Sequence, residues 1–125
     1  MKGQTSKGLR IAILVYTIYM VLYGFVHVIF PVMVGPKDPA TNRIFGAAVL
    51  AFALGAWLAY REKAWDKVKI VVLVQAVWMI LYTITVVWGF LDGGMGAEAW
   101  PLAIIGAVFA VWLMTLNIRE ERIQR

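Results

Sequence analysis

Four long stretches without a charged side chain dominate the pattern of polar and apolar positions along the chain. They cover residues 11–34, 44–60, 70–91 and 99–118. A helix that crosses a bilayer needs about 20 mostly apolar residues, with a usual range of about 17–25. All four stretches are long enough, so the pattern predicts an all-α protein built as a four-helix transmembrane bundle. The predicted spans lie at about 9–34, 44–60, 70–91 and 99–118.

The composition favours the same class of protein. The chain has 125 residues, of which 62% are hydrophobic, and its mean hydropathy is +0.79. A soluble domain of this size is rarely so apolar. The four spans leave almost no residues for a soluble part, so we predict one integral membrane domain over residues 1–125. The chain has no cysteine, which excludes disulfides, thiol catalysis and thiolate metal sites.

Ten of the twelve basic residues lie at one end of the predicted bundle. They are Lys2, Lys7, Arg10, Arg61, Lys63, Lys67, Lys69, Arg119, Arg122 and Arg125. Only Lys37 and Arg43 lie at the other end. Short cytoplasmic loops carry an excess of Lys and Arg, so we predict that both termini face the cytoplasm, in a prokaryotic cytoplasmic membrane. We expect the net charge of +5 to face membrane lipids rather than nucleic acid.

Prolines and turn-forming residues mark the boundary between spans one and two. Proline lacks a backbone N–H and its ring collides with the preceding helical turn, so Pro31 is expected to bend or end the first helix. Pro36 follows within the loop sequence GPKDPATN. Thr41 or Asn42 is the expected N-cap of span two, because such side chains accept hydrogen bonds from the free N–H groups of a helix start.

Small residues recur along spans two and four. Small side chains let two helix backbones approach closely in a bilayer, where such contacts hold helices together. We therefore predict that these positions pack against neighbouring helices or subunits and bind no ligand. The predicted packing residues are Ala47, Ala51, Gly55 and Ala59 in span two, and Gly106 and Ala110 in span four.

One face of the first span is polar and aromatic. Tyr16, Tyr19, Tyr23 and His27 are spaced three, four and four residues apart, which places them within about 80° of a helical wheel. Hydroxyl and imidazole groups inside a bilayer need hydrogen-bond partners, so this face is expected to point toward other helices. One side of span three offers such partners, namely Gln75, Trp78, Tyr82 and Thr85.

Two interpretations of this polar face stay open. In the first, its side chains bond to Gln75, Thr85 or backbone carbonyls and serve only helix packing. In the second, they line a pocket for a flat or amphipathic ligand, such as a quinone, a sterol-like molecule or a lipid tail. Interhelical polar contacts are common in membrane bundles, which favours the first interpretation.

The second interpretation places the binding site at the outer end of the bundle. His27 lies about 24 Å along the helix from Ile11, at about 1.5 Å per residue, which is the outer third of the membrane. Arg43 would contribute a planar, multiply donating guanidinium and His27 a titratable ring. In the alternative, Arg43 and Glu98 form an ordinary surface ion pair. The predicted ligand-binding residues are His27, Tyr23, Arg43 and Glu98, with Tyr82 and Trp88 as aromatic walls.

The sequence offers little for catalysis or metal binding. One histidine, no cysteine and no carboxylate within a span cannot complete a metal coordination shell. Haem would need a second ligand besides His27 and is disfavoured, so the cofactor stays unknown, with a quinone as a candidate. Motifs of metalloproteases, P-loop proteins and α/β-hydrolases are missing. Proton-coupled transporters usually carry an acidic residue inside a span, so its absence argues against a small antiporter.

The start of span two, NRIFGAAVLAFALGAWLAY, resembles the DoxX-like group of small four-helix membrane proteins. The resemblance rests on Arg43, Gly46 and Gly55, after a first helix that ends near a proline, and it extends to span count, length and topology. Some members of that group are associated with quinone-linked oxidation of sulfur compounds. The resemblance therefore implies a lipid-phase redox role or a lipid-binding role.

The sequence leaves three functions open. The first is a non-catalytic membrane protein that binds a lipid-soluble or amphipathic, quinone- or lipid-like molecule at the outer end of the bundle. The second is a structural or accessory subunit of a larger membrane complex, with the tyrosine face and the small residues as contact surfaces. The third is a small channel or transporter formed by a homo-oligomer.

Overall fold

The computed structural model of the protein describes residues 3–34 and 38–125, apart from the side chain of residue 34. Lys2, Pro36 and Lys37, which entered the predictions above, lie outside the described residues. No β-strand occurs within the described ranges, where four long helices and one short helix form the fold. They are α1 (Lys7–Ile29), α2 (Pro31–Val34), α3 (Pro39–Arg61), α4 (Trp65–Leu91) and α5 (Ala99–Gln124).

The four long helices form two pairs. Helix α1 packs along α3, and α4 packs along α5, whereas the contacts of α1 with α5 and of α3 with α4 are sparser. All four are long and apolar enough to cross a membrane. The predicted all-α fold with four membrane-spanning helices is therefore confirmed.

Both chain ends meet at one end of the bundle. The backbone N–H of Trp65 donates to the Gly3 carbonyl at 2.9 Å, and Gln124 Nε2 donates to the Gln4 carbonyl at 3.0 Å. The segment before α1, the α3–α4 loop and the end of α5 thus hold each other in place. We call this the terminal end of the bundle, and the opposite one the loop end. Which side of the membrane each faces stays a prediction.

Pro31 ends the first helix, as its chemistry predicts. Helix α1 stops at Ile29, Phe30 caps it with an N–H bonded to the Val26 carbonyl, and Pro31 opens the short helix α2. The first long helix is thus shorter than the span at 9–34 expected from the charge-free pattern. A stretch without charged residues does not show where a proline interrupts the backbone hydrogen bonds of the helix.

The predicted N-cap of the second span is wrong. Asp38 caps α3, and its carboxylate accepts a hydrogen bond from the Ala40 N–H at 3.0 Å and another from the Thr41 hydroxyl. These bonds lower the pKa of Asp38, the one from Thr41 most strongly. Pro39 is pre-organised for the first helical position, so the helix starts earlier than the apolar stretch.

The backbones of α1 and α3 approach each other closely at two glycines, Gly24 and Gly46. A Cβ atom on Gly46 would lie 2.8 Å from the Gly24 carbonyl oxygen and 2.8 Å from His27 Cβ. A Cβ atom on Gly24 would in turn lie 2.7 Å from Leu50 Cγ. Only glycine fits at these two positions, so this glycine pair sets the spacing of α1 and α3.

The predicted packing residues of span two do not form the face of α3 that packs against the rest of the chain. Ala47 and Ala51 are exposed, Gly55 is half-buried, and only Ala59 is buried. On a helix of 3.6 residues per turn, residues four apart in sequence differ in direction by about 40°. Four such residues in a row therefore spread over about 120° of the helix surface and cannot all face the same neighbouring helix. The buried face of α3 carries Gly46, Val49, Ala53, Ala56 and Ala59.

The small pair predicted in span four is buried as expected. Gly106 and Ala110 both lie on the inner side of α5. A Cβ atom on Gly106 would lie 3.0 Å from Tyr82 Cδ1 and would collide with the Thr83 hydroxyl. Gly106 therefore lets α5 approach α4 closely.

Candidate functional site

A hydrogen-bonded chain links α1, α4 and α3 in the middle of the bundle. The Tyr16 hydroxyl donates to Gln75 Oε1 at 2.7 Å, and Gln75 Nε2 donates to the Phe52 carbonyl at 3.0 Å. Gly55 of α3 lies beside this amide, since a Cβ atom on Gly55 would be in ordinary contact with Gln75 Nε2, at 3.5 Å. For Tyr16 the packing interpretation is therefore correct.

A second polar contact lies nearer the loop end. The Tyr23 and Tyr82 hydroxyls are 2.8 Å apart and share a hydrogen bond between α1 and α4. His27 follows one turn along α1, with its ring centroid 4.3 Å from that of Tyr23. Three of the six predicted ligand-binding residues therefore lie together.

The hydrogen bond of His27 fixes its tautomer when the ring is neutral. Its Nδ1 lies 2.9 Å from the Tyr23 carbonyl oxygen. A carbonyl only accepts, so Nδ1 carries the proton and Nε2 is left as an acceptor. The side chain is 6% exposed, and the structure records no hydrogen bond of Nε2 to a described residue. His27 thus offers one acceptor to a hydroxyl or N–H donor.

Aromatic rings surround this polar contact and continue to the edge of the bundle. Phe45 lies 5.1 Å from His27 and 6.0 Å from Tyr23, centroid to centroid, in edge-to-face geometry. Trp78 stacks on Phe45 at 6.3 Å and on Phe52 at 4.6 Å. The two helix pairs therefore meet through a layer of rings. We call Tyr19, Tyr23, His27, Phe45, Trp78 and Tyr82 the ring layer.

The Tyr19 hydroxyl is a buried group of this layer that lacks a hydrogen bond of regular geometry. The Tyr19 ring lies between Tyr23, at 5.6 Å, and Phe109 of α5, at 5.1 Å. Its hydroxyl is buried beside that of Tyr82, yet it makes no hydrogen bond of regular geometry with any described residue. A buried hydroxyl without a well-formed hydrogen bond is destabilising and calls for an explanation.

Little free space is present within the ring layer. The crevice between Tyr19, Tyr23, Phe45, Trp78 and Tyr82 is too narrow for a water molecule. A groove of about 460 Å³ lies elsewhere, on the outside of α1 and α3, and its lining is almost wholly apolar. A ligand of the ring layer must therefore move side chains apart, whereas the outer groove faces the lipid.

Three predicted site residues lie apart from the ring layer. Trp88 is 70% exposed, and Arg43 and Glu98 are exposed as well. Among the described residues, Arg43 and Glu98 form no ion pair with each other, so the structure does not show the ion pair of the alternative prediction. The Glu98 carboxylate accepts the Gly96 N–H at 2.9 Å. Its pKa is lowered by its own backbone N–H and then by that of Gly96.

The separation of these residues from the ring layer has a simple origin. The sequence suggests only that Arg43, Glu98 and Trp88 lie at the same membrane depth as His27, and not in which direction each side chain points. Thr85 is similar, because the sequence pattern predicts it on the polar side of span three, whereas it is exposed and donates to the Leu81 carbonyl at 2.8 Å. Depth alone does not bring side chains together.

Phe45 is the main site residue that sequence reasoning missed. It lies one residue before Gly46, where α1 and α3 approach closely, and its half-buried ring points into the layer. No polar atom marks it, and only a correct assignment of the inner face of α3 would have found it. For Trp78, the sequence predicts the correct face of span three but not a position in the site.

The described residues contain no group of three or more His, Asp or Glu side chains that could hold a metal ion.

The fold and the ring layer define the class of the protein: a four-span α-helical bundle with a hydrogen-bonded, aromatic interior. No protein-family model, curated protein or solved structure matches the chain. The resemblance to the DoxX-like group therefore stays a prediction.

Proposed function

We propose that this chain is an integral membrane protein that binds a flat, lipid-soluble ring compound of the quinone class within the ring layer. The buried Tyr19 hydroxyl without a regular hydrogen bond carries this proposal. A quinone carbonyl accepts a hydrogen bond from a tyrosine hydroxyl, and aromatic rings offer it stacking surfaces. The proposed role is binding, with no chemical step assigned to the chain.

His27 supports the same ligand class. Its Nε2 acceptor complements a quinol hydroxyl, whereas the Tyr19 hydroxyl complements a quinone carbonyl. A pocket with one donor and one acceptor can bind both oxidation states of such a ring. Neither a plain hydrocarbon chain nor a cation would satisfy both groups.

Entry of the ligand requires a change in the ring layer. Within each helix pair, glycines bring the backbones together, whereas the two pairs meet through side chains. Phe45 and Trp78 are half-buried at the seam between α3 and α4, where a lipid-soluble molecule arrives. Rotation of these two rings would open the crevice laterally while both helix pairs stay intact.

Quinone binding can be measured by quenching of tryptophan fluorescence in nanodiscs, because Trp78 lies in the proposed site. We expect decylubiquinone to quench saturably, with an affinity about fivefold lower in Tyr19→Phe, the effect of one lost neutral hydrogen bond. Tyr60→Phe is the matched control, because Tyr60 lies near the opposite end of α3 and its ring contacts Arg10. Non-saturable quenching, or equal affinities in the two variants, would refute the proposal.

The location of the protein is part of the proposal. We place it in a prokaryotic cytoplasmic membrane with the terminal end inside, on the strength of its basic residues. Because the chain has no cysteine, single introduced cysteines report topology cleanly. In intact bacterial cells, a membrane-impermeant maleimide should label Ala97→Cys, in the loop before α5, and leave Arg125→Cys unlabelled. The reverse pattern would invert the proposed orientation.

A further inference from the structure

A second candidate site lies on the outside of α5, at the terminal end of the bundle and away from the ring layer. A groove of about 590 Å³ follows one face of the helix there. It combines two guanidinium groups, a hydroxyl and two branched apolar side chains. Its lining residues are Thr115, Ile118, Arg119, Arg122 and Ile123.

The two arginines of this groove have no acidic partner within the described residues. Arg119 and Arg122 are exposed, and the nearby carboxylates are engaged elsewhere. Glu121 pairs with Arg125 at 3.6 Å and accepts the indole N–H of Trp65 at 3.2 Å. Glu120 is buried and accepts the Ser6 N–H at 3.2 Å.

An apolar strip leads from the groove toward the loop end along the same face of α5. Ile104, Val108 and Val111 are exposed by 60%, 57% and 67%, and they continue the line through Ile118. From residue 104 to 118 the strip is about 21 Å long at 1.5 Å per residue. It thus exceeds the depth of one leaflet, about 15 Å of hydrocarbon.

Arg119 and Arg122 lie at the depth expected for the lipid headgroups. Arg119 is the first charged residue after the stretch at 99–118, and Arg122 lies one turn further out. A long basic side chain at such a helix end extends toward the lipid phosphates. Guanidinium groups bind phosphate oxygens through paired hydrogen bonds.

We propose that this face of α5 binds one anionic phospholipid. Its phosphate lies between Arg119 and Arg122, Thr115 donates to an oxygen of the ester region, and one acyl chain follows the apolar strip. Charge complementarity favours an anionic headgroup over a zwitterionic one, because two unpaired cations face it. The apolar strip favours a lipid over a free anion.

Native mass spectrometry of the full chain in detergent tests this site, with dioleoyl phosphatidylglycerol and dioleoyl phosphatidylcholine as the probes. We expect one phosphatidylglycerol to remain bound preferentially. In R119Q/R122Q its affinity should fall by about tenfold or more, given the usual contribution of each basic residue near anionic lipid. The control R61Q/K63Q removes two cations from the same end that do not line the groove. Its affinity should change by less than about twofold, because salt screens exposed charges that lie away from the phosphate.

Three results would overturn the proposal: equal affinity for the two lipids, equal losses in the two double variants, or displacement of phosphatidylglycerol by millimolar inorganic phosphate. Equal losses would mean that only the overall charge of the terminal end attracts lipid. Ile118→Asn should weaken lipid binding, since its side chain contacts only the apolar part of the ligand. All substituted side chains are exposed, and circular dichroism checks that each variant is folded.

Discussion

Gly46→Val is expected to lower the free energy of unfolding strongly, by about 3 kcal/mol. The new Cβ would lie 2.8 Å from a backbone oxygen of α1 and 2.8 Å from His27 Cβ, so α1 and α3 must move apart. Valine is a better helix former than glycine, and the loss therefore comes from packing alone. Thermal unfolding in detergent micelles, followed by far-ultraviolet circular dichroism, measures the change.

Ala47→Val is the matched control for that experiment. Ala47 is the next residue on the same helix, but it is exposed, so its substitution should change the free energy of unfolding by less than about 0.5 kcal/mol. The comparison also tests which face of α3 packs. A larger loss in Ala47→Val than in Gly46→Val would contradict the observed packing and favour the packing residues predicted from sequence.

Gln75→Leu is expected to lower the free energy of unfolding by about 1–2 kcal/mol. Leucine preserves much of the volume, but it leaves the Tyr16 hydroxyl, in a residue only 1% exposed, without its acceptor. Equilibrium unfolding in mixed micelles of a mild and a denaturing detergent measures this loss of unfolding free energy. Thr85→Val, which removes an exposed hydroxyl bonded within its own helix, should be nearly neutral.

A double-mutant cycle separates the hydrogen bond from general packing. Removing both partners of a buried bond is much less costly than removing one. Tyr16→Phe combined with Gln75→Leu should therefore be more stable than Gln75→Leu alone. If the two single losses simply add, the 2.7 Å contact between the side chains does not contribute to the stability of the bundle.

The helices and their number could be predicted from the sequence because the bilayer imposes a local rule. A stretch of about 20 residues without charge must bond its backbone internally, and a helix is the simplest way to do so. The end of α1 near Pro31 is equally local, because a proline interrupts the hydrogen bonds of its own helix. The N-cap of α3 was missed because Asp38 lies outside the apolar stretch, where only its bond to Ala40 identifies it.

The candidate site was predicted in part. Tyr23, His27 and Tyr82 were identified because polar groups in an apolar helix must point to partners. Arg43, Glu98 and Trp88 were grouped with them by depth, but they point to the surface. The rotation of one helix about its axis relative to another has no local signature, since it depends on which backbones can approach.

By itself, the sequence determined that the chain forms four membrane-spanning helices and that the first has a polar face, because both follow from the period and polarity of single segments. Only the tertiary structure decided which face of each helix is buried. The Gly24–Gly46 approach fixes the rotation of α3, and that rotation turns Phe45 toward His27 and leaves Ala47 outside. Close packing between segments distant in sequence sets these contacts, and no single segment contains that information.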